Sequence, residues 1–190
     1  MSFYGQKIIP AIRSMKDFEK MLDTPFTYGV FLDLHVGMLK NVFKYANQYE
    51  KKMFLHVDLI QGLKNDEAAA EYLCQEIKPY GLISTKANVI MKARQKGIYA
   101  TQRAFIIDSS ALERSITLVK KTNPHYIEVL PGVVPKIIKE LHVRTGKPIF
   151  AGGLIDTPDE VEQAIQSGAT AITTSNRKLW EEYSNLNISE

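Results

Sequence analysis

The sequence predicts an α/β fold, a compact single-domain (β/α)8 TIM barrel, on three observations. Short β-rich runs alternate with segments of helical spacing along the chain, about as many units as a full barrel requires. Polar residues recur at the C-terminal ends of many of these runs, where a barrel assembles its site. No glycine-rich turn follows the first run, as a Rossmann sheet would need: Ile9-Pro10-Ala11-Ile12-Arg13 holds no glycine.

The strand candidates, in order, are Lys7–Ile12, Tyr28–Leu34, Lys52–Leu59, Gly81–Ser84, Ile98–Gln102, Tyr126–Leu130, Pro148–Ala151 and Ala171–Thr174. The helices between them carry start and stop signals. Ser14 with Asp17 resembles a capping pair, and Ser110 followed by Glu113 fits a capping box. Thr157-Pro158-Asp159-Glu160 supplies N-cap, N1 proline and N3 glutamate together. Gly97, Gly146 and Gly168 each follow a helical run, where a left-handed residue is wanted. One domain is expected over residues 1–190, with the strand-helix core at about 7–182. That is short for a barrel, whose usual length is about 250 residues.

Bulk properties exclude several classes. A chain with 45% hydrophobic and 24% charged residues is globular, neither disordered nor fibrous. The single cysteine, Cys74, rules out an internal disulfide, and without a charged-then-apolar leader a reducing cytoplasm is the expected location. No apolar run approaches the roughly 18 residues of a membrane span. The net charge of +3 permits a polyanionic partner without requiring one.

Function is read from the strand ends. Phe150-Ala151-Gly152-Gly153 runs from a strand into paired glycines, where backbone N–H groups can approach a ligand with no Cβ in the way. One unit later Thr174, Ser175 and Asn176 end the next strand, and a helix starting at Asn176 would aim its N–H groups at the same point. Loops after the seventh and eighth strands are where barrels commonly hold a phosphate, so Gly152, Gly153, Thr174, Ser175 and Asn176 form the expected anion cradle. Other rim residues are Arg13, Asp33, His35, Thr85, Lys86, Gln102, Arg103 and Glu128. His56 and Asp58 are two apart in a strand candidate, so both are expected to face inward. Asp58 and Glu128 need partners if buried, and Arg103 or Lys86 could supply the charge. Bland alternatives stay open: Asp33 bonded to loop N–H groups, His56 as a satisfied interior histidine, and Asp58 or Glu128 in a structural salt bridge. Neither metal-ligand spacing, a Walker loop nor a nucleophile elbow is present.

Several segments together are more specific. Ile8-Ile9-Pro10-Ala11-Ile12-Arg13, Leu55-His56-Val57-Asp58-Leu59-Ile60-Gln61-Gly62-Leu63 and Gly81-Leu82-Ile83-Ser84-Thr85-Lys86 occur in that order. Gln102-Arg103-Ala104-Phe105-Ile106-Ile107-Asp108-Ser109, Ile127-Glu128-Val129-Leu130-Pro131-Gly132 and Ala151-Gly152-Gly153-Leu154-Ile155 follow. From Lys7 to about Trp180 the chain resembles the glycerol uptake operon antiterminator regulatory proteins. The resemblance implies a regulator that responds to glycerol 3-phosphate and binds the leader mRNA of a glycerol-utilisation operon. It implies that termination is prevented, that the message is stabilised, and that the role is regulation, not catalysis; no metal or cofactor is expected.

Such an effector needs the anion cradle, with Asp58 or Glu128 to accept from its hydroxyls and Arg103 or Lys86 for positive charge. For RNA the best basic run follows the fourth strand, Lys92, Arg94 and Lys96, with no acid between them. Lys136, Lys139, Arg144 and Lys147 form a second group. A solvated helix face is the plain alternative for both. Two other functions compete: an aldolase, isomerase or prenyl-glycerol-phosphate transferase acting on a small phosphorylated substrate, and a phosphosugar sensor with a protein partner. The aromatic region Phe43-Lys44-Tyr45 with Tyr49 leaves room for a homodimer surface.

Overall fold

The computed structural model describes residues 3–186. Its eight strands are β1 (Ile8–Ile12), β2 (Tyr28–Phe31), β3 (Lys52–His56), β4 (Gly81–Ser84), β5 (Tyr99–Phe105), β6 (Tyr126–Leu130), β7 (Ile149–Gly152) and β8 (Ala169–Thr174). The helices are α1 (Met15–Leu22), α2 (Leu39–Gln48), α3 (Glu67–Tyr72), α4 (Ala87–Gln95), α5 (Ser109–Thr122), α6 (Pro135–Thr145), α7 (Pro158–Gln166) and α8 (Arg177–Leu186). All strand pairs are parallel, each strand bonds to the next, and β8 returns to β1 through Ile8↔Ile172 and Ile9↔Thr173, closing the barrel. Every strand is followed by a helix, so the sheet's outer face is covered and most strand residues are buried and apolar, with polar ones such as Gln102, Glu128 and Thr173 set among them.

Alternation along the strands sorts two cores. Ile9, Ala11, Tyr28, Val30, Phe54 and Phe150 pack inside the barrel with Ile83 and Tyr126. Their sequence neighbours Ile8, Ile12, Phe31, Leu55 and Ile149 pack outward against the helices. Phe3 closes the N-terminal end of the barrel, its ring 4.6 Å from Tyr28 and 5.3 Å from Phe150. Gln6 seals the same end by donating to the Ile8 and Tyr28 carbonyls while accepting from the Thr27 and Tyr28 N–H groups.

The helix signals were mostly legible. Ser14 accepts from the Asp17 N–H, and Thr157 with Glu160 forms a reciprocal capping box with Pro158 in the first turn. Gly97, Gly146 and Gly168 have φ of +72°, +65° and +106°. The Ser110–Glu113 box does not form. Asp108 is the N-cap of α5, accepting from Ala111 N–H at 2.7 Å, which leaves Ser110 already inside the helix. A carboxylate two residues earlier reaches the free N–H first.

Strand ends moved more. β2 stops at Phe31 and β3 at His56, while β5 runs on to Phe105 and β8 begins at Ala169. After β3 the chain enters a 3-10 turn, Val57–Leu59, so the two-residue period that paired His56 with Asp58 ends at His56. Phe43 is buried in the core, so Tyr45 and Tyr49 are the rings that reach the surface there, bonded to each other through their hydroxyls at 3.3 Å. Among the described residues no helix is long and apolar enough to cross a membrane.

Candidate ligand-binding site

The C-terminal ends of the strands surround a cleft of about 400 Å³. Its floor is built from β5, β6 and β8. Glu128, on β6, is 1% exposed; Arg103 Nε donates to its Oε2 at 2.6 Å and Thr173 Oγ1 to its Oε1 at 2.7 Å. The register that pairs Arg103 with Glu128 on adjacent strands puts the two charges side by side. A buried carboxylate held by a cation and a hydroxyl is stable where a lone one would not be. The Arg103 guanidinium also lies 5.8 Å from the Phe105 ring, and its Nη atoms have no partner among the described residues. Two charge-bearing nitrogens, with four N–H donors between them, are therefore left on a residue that lines the cleft.

One wall is the glycine pair. A Cβ on Gly152 would fall 2.5 Å from Thr173 Oγ1, so only glycine fits beside the Thr173–Glu128 bond. Gly153 has φ +77°, a conformation that costs a branched residue dearly, and its carbonyl and that of Gly152 both accept from Gly132 N–H. The chain stays left-handed through Leu154, at φ +62°. The opposing wall is Thr174-Ser175-Asn176. Thr174 Oγ1 accepts from Asn176 N–H at 3.1 Å, and Asn176 Oδ1 accepts from Lys178 N–H at 3.0 Å, capping α8. Asn176 Nδ2 donates to the Asp156 carbonyl at 3.3 Å and so ties the two loops together. Neither Gly153 nor Ser175 N–H has an acceptor among the described residues. Two free backbone donors, a helix N-terminus and a half-committed arginine meet around one volume, which suits a small anion.

The expected residues divide cleanly. Gly152, Gly153, Thr174, Ser175, Asn176, Arg103 and Glu128 all line the cleft. Asp58 and Lys86 do not. Asp58 sits in the turn after β3, where it accepts from Ser84 Oγ at 2.5 Å, Thr85 N–H at 2.8 Å and Thr85 Oγ1 at 2.7 Å. Burial raises its pKa, but these hydrogen bonds outweigh burial and hold the carboxyl below the usual value. It is a strut between two strand ends. Lys86 is the exposed residue before α4 and contributes its N–H to Ser84 Oγ.

His56 is buried, as expected of an inward residue, yet neither ring nitrogen has a partner among the described residues. Burial first, then the Arg103 charge, lowers its pKa to about 4, so the ring is neutral. Asp33 is paired with Arg13 at 3.2 Å rather than with loop N–H groups. Arg13, a rim residue given no ligand role from the sequence, lines the mouth of the cleft; Thr173, which the sequence reading left out, lies on its floor. The inward period through Ala171 and Thr173 was the signal for the second. Among the described residues no group of three or more His, Cys, Asp or Glu side chains is placed to hold a metal ion.

The basic run of α4 is divided too. Lys92 pairs with Glu67 at 2.9 Å and Lys96 with Glu71 at 2.6 Å, both acids coming from α3. Only Arg94 turns away from them, toward His125.

Residues 8–180 match the family described as glycerol-3-phosphate responsive antiterminator. The chain belongs to this family. A solved glycerol uptake operon antiterminator regulatory protein from Listeria monocytogenes is 49% identical, with 95% of this chain and 98% of that one covered at a TM-score of 0.93. An antiterminator-related protein from Thermotoga maritima is 29% identical, with 93% and 98% covered at a TM-score of 0.82. An uncharacterised Escherichia coli protein, YgcP, is 30% identical over 173 residues, 91% of each chain. The antiterminator barrel is thus the frame in which the cleft, the Arg103–Glu128 pair and the glycine loop are set.

Proposed function

We propose that this chain binds glycerol 3-phosphate in the cleft and, so loaded, acts on the leader mRNA of a glycerol-utilisation operon, preventing termination and stabilising the message. The observation that carries the ligand half is the convergence of unpartnered donors, Gly153 N–H, Ser175 N–H and the Arg103 Nη atoms, on one small volume in an antiterminator-family barrel. Phosphate oxygens would take these donors. The hydroxyls would meet Glu128, whose oxygens each have a lone pair left beyond the bonds from Arg103 and Thr173.

Regulation rather than turnover is favoured by the same pair. Glu128 is fixed by two short bonds on the floor and so is poorly placed to shuttle a proton. No cofactor is needed, and a regulator of leader mRNA would act in the cytoplasm. Coupling would run through the rim: a phosphate drawing the β7 and β8 loops together favours one arrangement of the barrel mouth, and any difference in RNA affinity between arrangements is the coupling free energy.

The test is a titration of leader RNA at fixed salt with and without glycerol 3-phosphate, because phosphate contacts make the affinity steeply salt-dependent. Tighter RNA binding with the effector is expected. Equal affinity in both conditions overturns binding-coupled regulation. Calorimetry on Gly153→Val tests the cradle separately, and undiminished glycerol 3-phosphate binding there would show that the ligand sits elsewhere.

A further inference from the structure

The opposite end of the barrel carries chemistry that the cleft does not use. At the N-terminal ends of the strands, aromatic rings form a continuous row. Tyr4 stacks on Tyr28 at 5.5 Å, Tyr28 meets Tyr80 edge-on at 5.2 Å, Tyr80 stacks on Tyr99 at 4.7 Å, and Tyr99 meets His125 at 5.0 Å. Lys52 lies over both Tyr28 and Tyr80, 5.5 and 5.7 Å from their centroids. Tyr4 is 68% exposed, with one face packed on Tyr28 and the other open.

At the end of this row three basic side chains crowd together. Arg94 Nη1 touches His125 Nε2, and Lys147 reaches Asn123 Oδ1 at 2.6 Å. Ala100 N–H donates to His125 Nδ1 at 3.0 Å, so the neutral ring carries its proton on Nε2. The Nε2–H and the guanidinium are then two donors turned to one place, and only a shared acceptor satisfies both. No carboxylate bonds to Arg94, His125 or Lys147 among the described residues. Burial, then Arg94 and Lys147, disfavours protonation of His125; burial, then Arg94, does the same for Lys147. Elsewhere the pattern is different: Lys92, Lys96 and Arg144 are each held by glutamates.

Closing the barrel explains the inner rings Phe3, Phe54 and Phe150, but it needs neither the exposed Tyr4 nor two like charges, Arg94 and Lys147, set beside a neutral histidine with no acid bonded to them among the described residues. We infer that this N-terminal face binds a single-stranded segment of RNA, with phosphates at Arg94, His125, Lys147 and Lys52 and a base stacked on the open face of Tyr4. Rings interleaved with cations are what single-stranded nucleic acid uses, since every base offers a π-face. An acidic protein would satisfy the charges but leave the ring row without a purpose. The inference rests on the RNA-binding reading above and moves its surface from the outer side of α4 to the barrel bottom, keeping only Arg94.

The experiment titrates leader RNA, and a hairpin-free single-stranded oligoribonucleotide, against the full chain saturated with glycerol 3-phosphate, over a series of salt concentrations. Arg94→Gln with Lys147→Gln should weaken binding roughly tenfold or more and reduce the slope of log affinity against log salt by about 1.4, near 0.7 per lost contact. Tyr4→Ala should cost about tenfold with the slope unchanged, because stacking carries no counterions. Lys92→Gln with Lys96→Gln should stay within about twofold, since both lysines already have glutamate partners. Unaltered glycerol 3-phosphate affinity, read at the far end of the barrel, shows that each variant is folded. If the wild type binds RNA and the Arg94/Lys147 pair binds with the same affinity and slope, this surface is wrong and falls to an acidic protein partner. If the wild type binds no RNA in either effector state, the RNA reading itself fails.

Discussion

Arg103 and Glu128 face each other across adjacent strands, Nε to Oε2 at 2.6 Å, and the carboxylate is all but sealed from solvent. The pair is both the floor of the cleft and a charge buried on condition that its partner stays. Arg103→Ala leaves Glu128 with only the Thr173 hydroxyl, and removing one member of a buried pair costs about 3–5 kcal/mol. A loss of unfolding free energy of that order, read by urea titration, is expected. Arg103→Met with Glu128→Leu should recover most of it while abolishing glycerol 3-phosphate binding. Single and double variants of equal stability would mean that the pair is not interdependent.

Gly152 is defined by what stands opposite it. With Thr173 Oγ1 2.5 Å from where a Cβ would be, Gly152→Ala must push the threonine off Glu128. We expect at least a tenfold loss of glycerol 3-phosphate affinity by calorimetry, with Thr173→Val showing a comparable loss. At Gly153 the clash is conformational: a non-glycine residue at φ +77° costs about 1–2 kcal/mol, so Gly153→Val should lower the melting temperature as well as the affinity.

Asp58 should separate stability from binding. Its three hydrogen bonds come from β4 and the residue after it, and none of its partners lines the cleft. Asp58→Asn loses an acceptor and should cost about 1–3 kcal/mol with ligand affinity intact. Because the folded carboxyl is held below its ordinary value, its contribution is fully present above about pH 4 and is lost as pH falls through the lower folded value. Melting temperatures of wild type and variant should therefore converge in acid. A constant gap down to low pH would contradict the strut.

His56 sets a different slope. Its pKa is about 4 in the fold and about 6.5 in an unfolded chain, so between those values the unfolded state binds the extra proton. Stability should drop, by a few kcal/mol in order of magnitude, as pH falls from about 6.5 to about 4, and then level off for this group. His56→Leu should remove that part of the slope. The same slope in the variant would mean that another group causes it.

The βα alternation, the capping box at Thr157 and Glu160, the left-handed glycines after helices and the loops at Gly152–Gly153 and Thr174–Asn176 are local patterns. Each depends on a few adjacent residues; the first three appear where the sequence put them, and the two loops line one cleft. Asp58 was misplaced because a two-residue period says nothing about where the strand stops, and a 3-10 turn after His56 sends the carboxylate sideways to β4. Lys92 and Lys96 read as free cations because no acid lies beside them in the chain; Glu67 and Glu71 reach them from the neighbouring helix.

By itself, then, the sequence determined the barrel, the two rim loops after β7 and β8 and the likeness to the antiterminators, since periodicity, caps and glycines act over short separations. Only the tertiary structure decided which charges are spent and which are open. It joined Arg103 to Glu128 and Thr173, retired Asp58 to a strut, neutralised Lys92 and Lys96, and left Arg94, His125 and Lys147 together beneath the tyrosines. The physical reason is that a charge's behaviour depends on neighbours a few ångströms away, and closing the sheet brings those neighbours from strands and helices far apart in the chain.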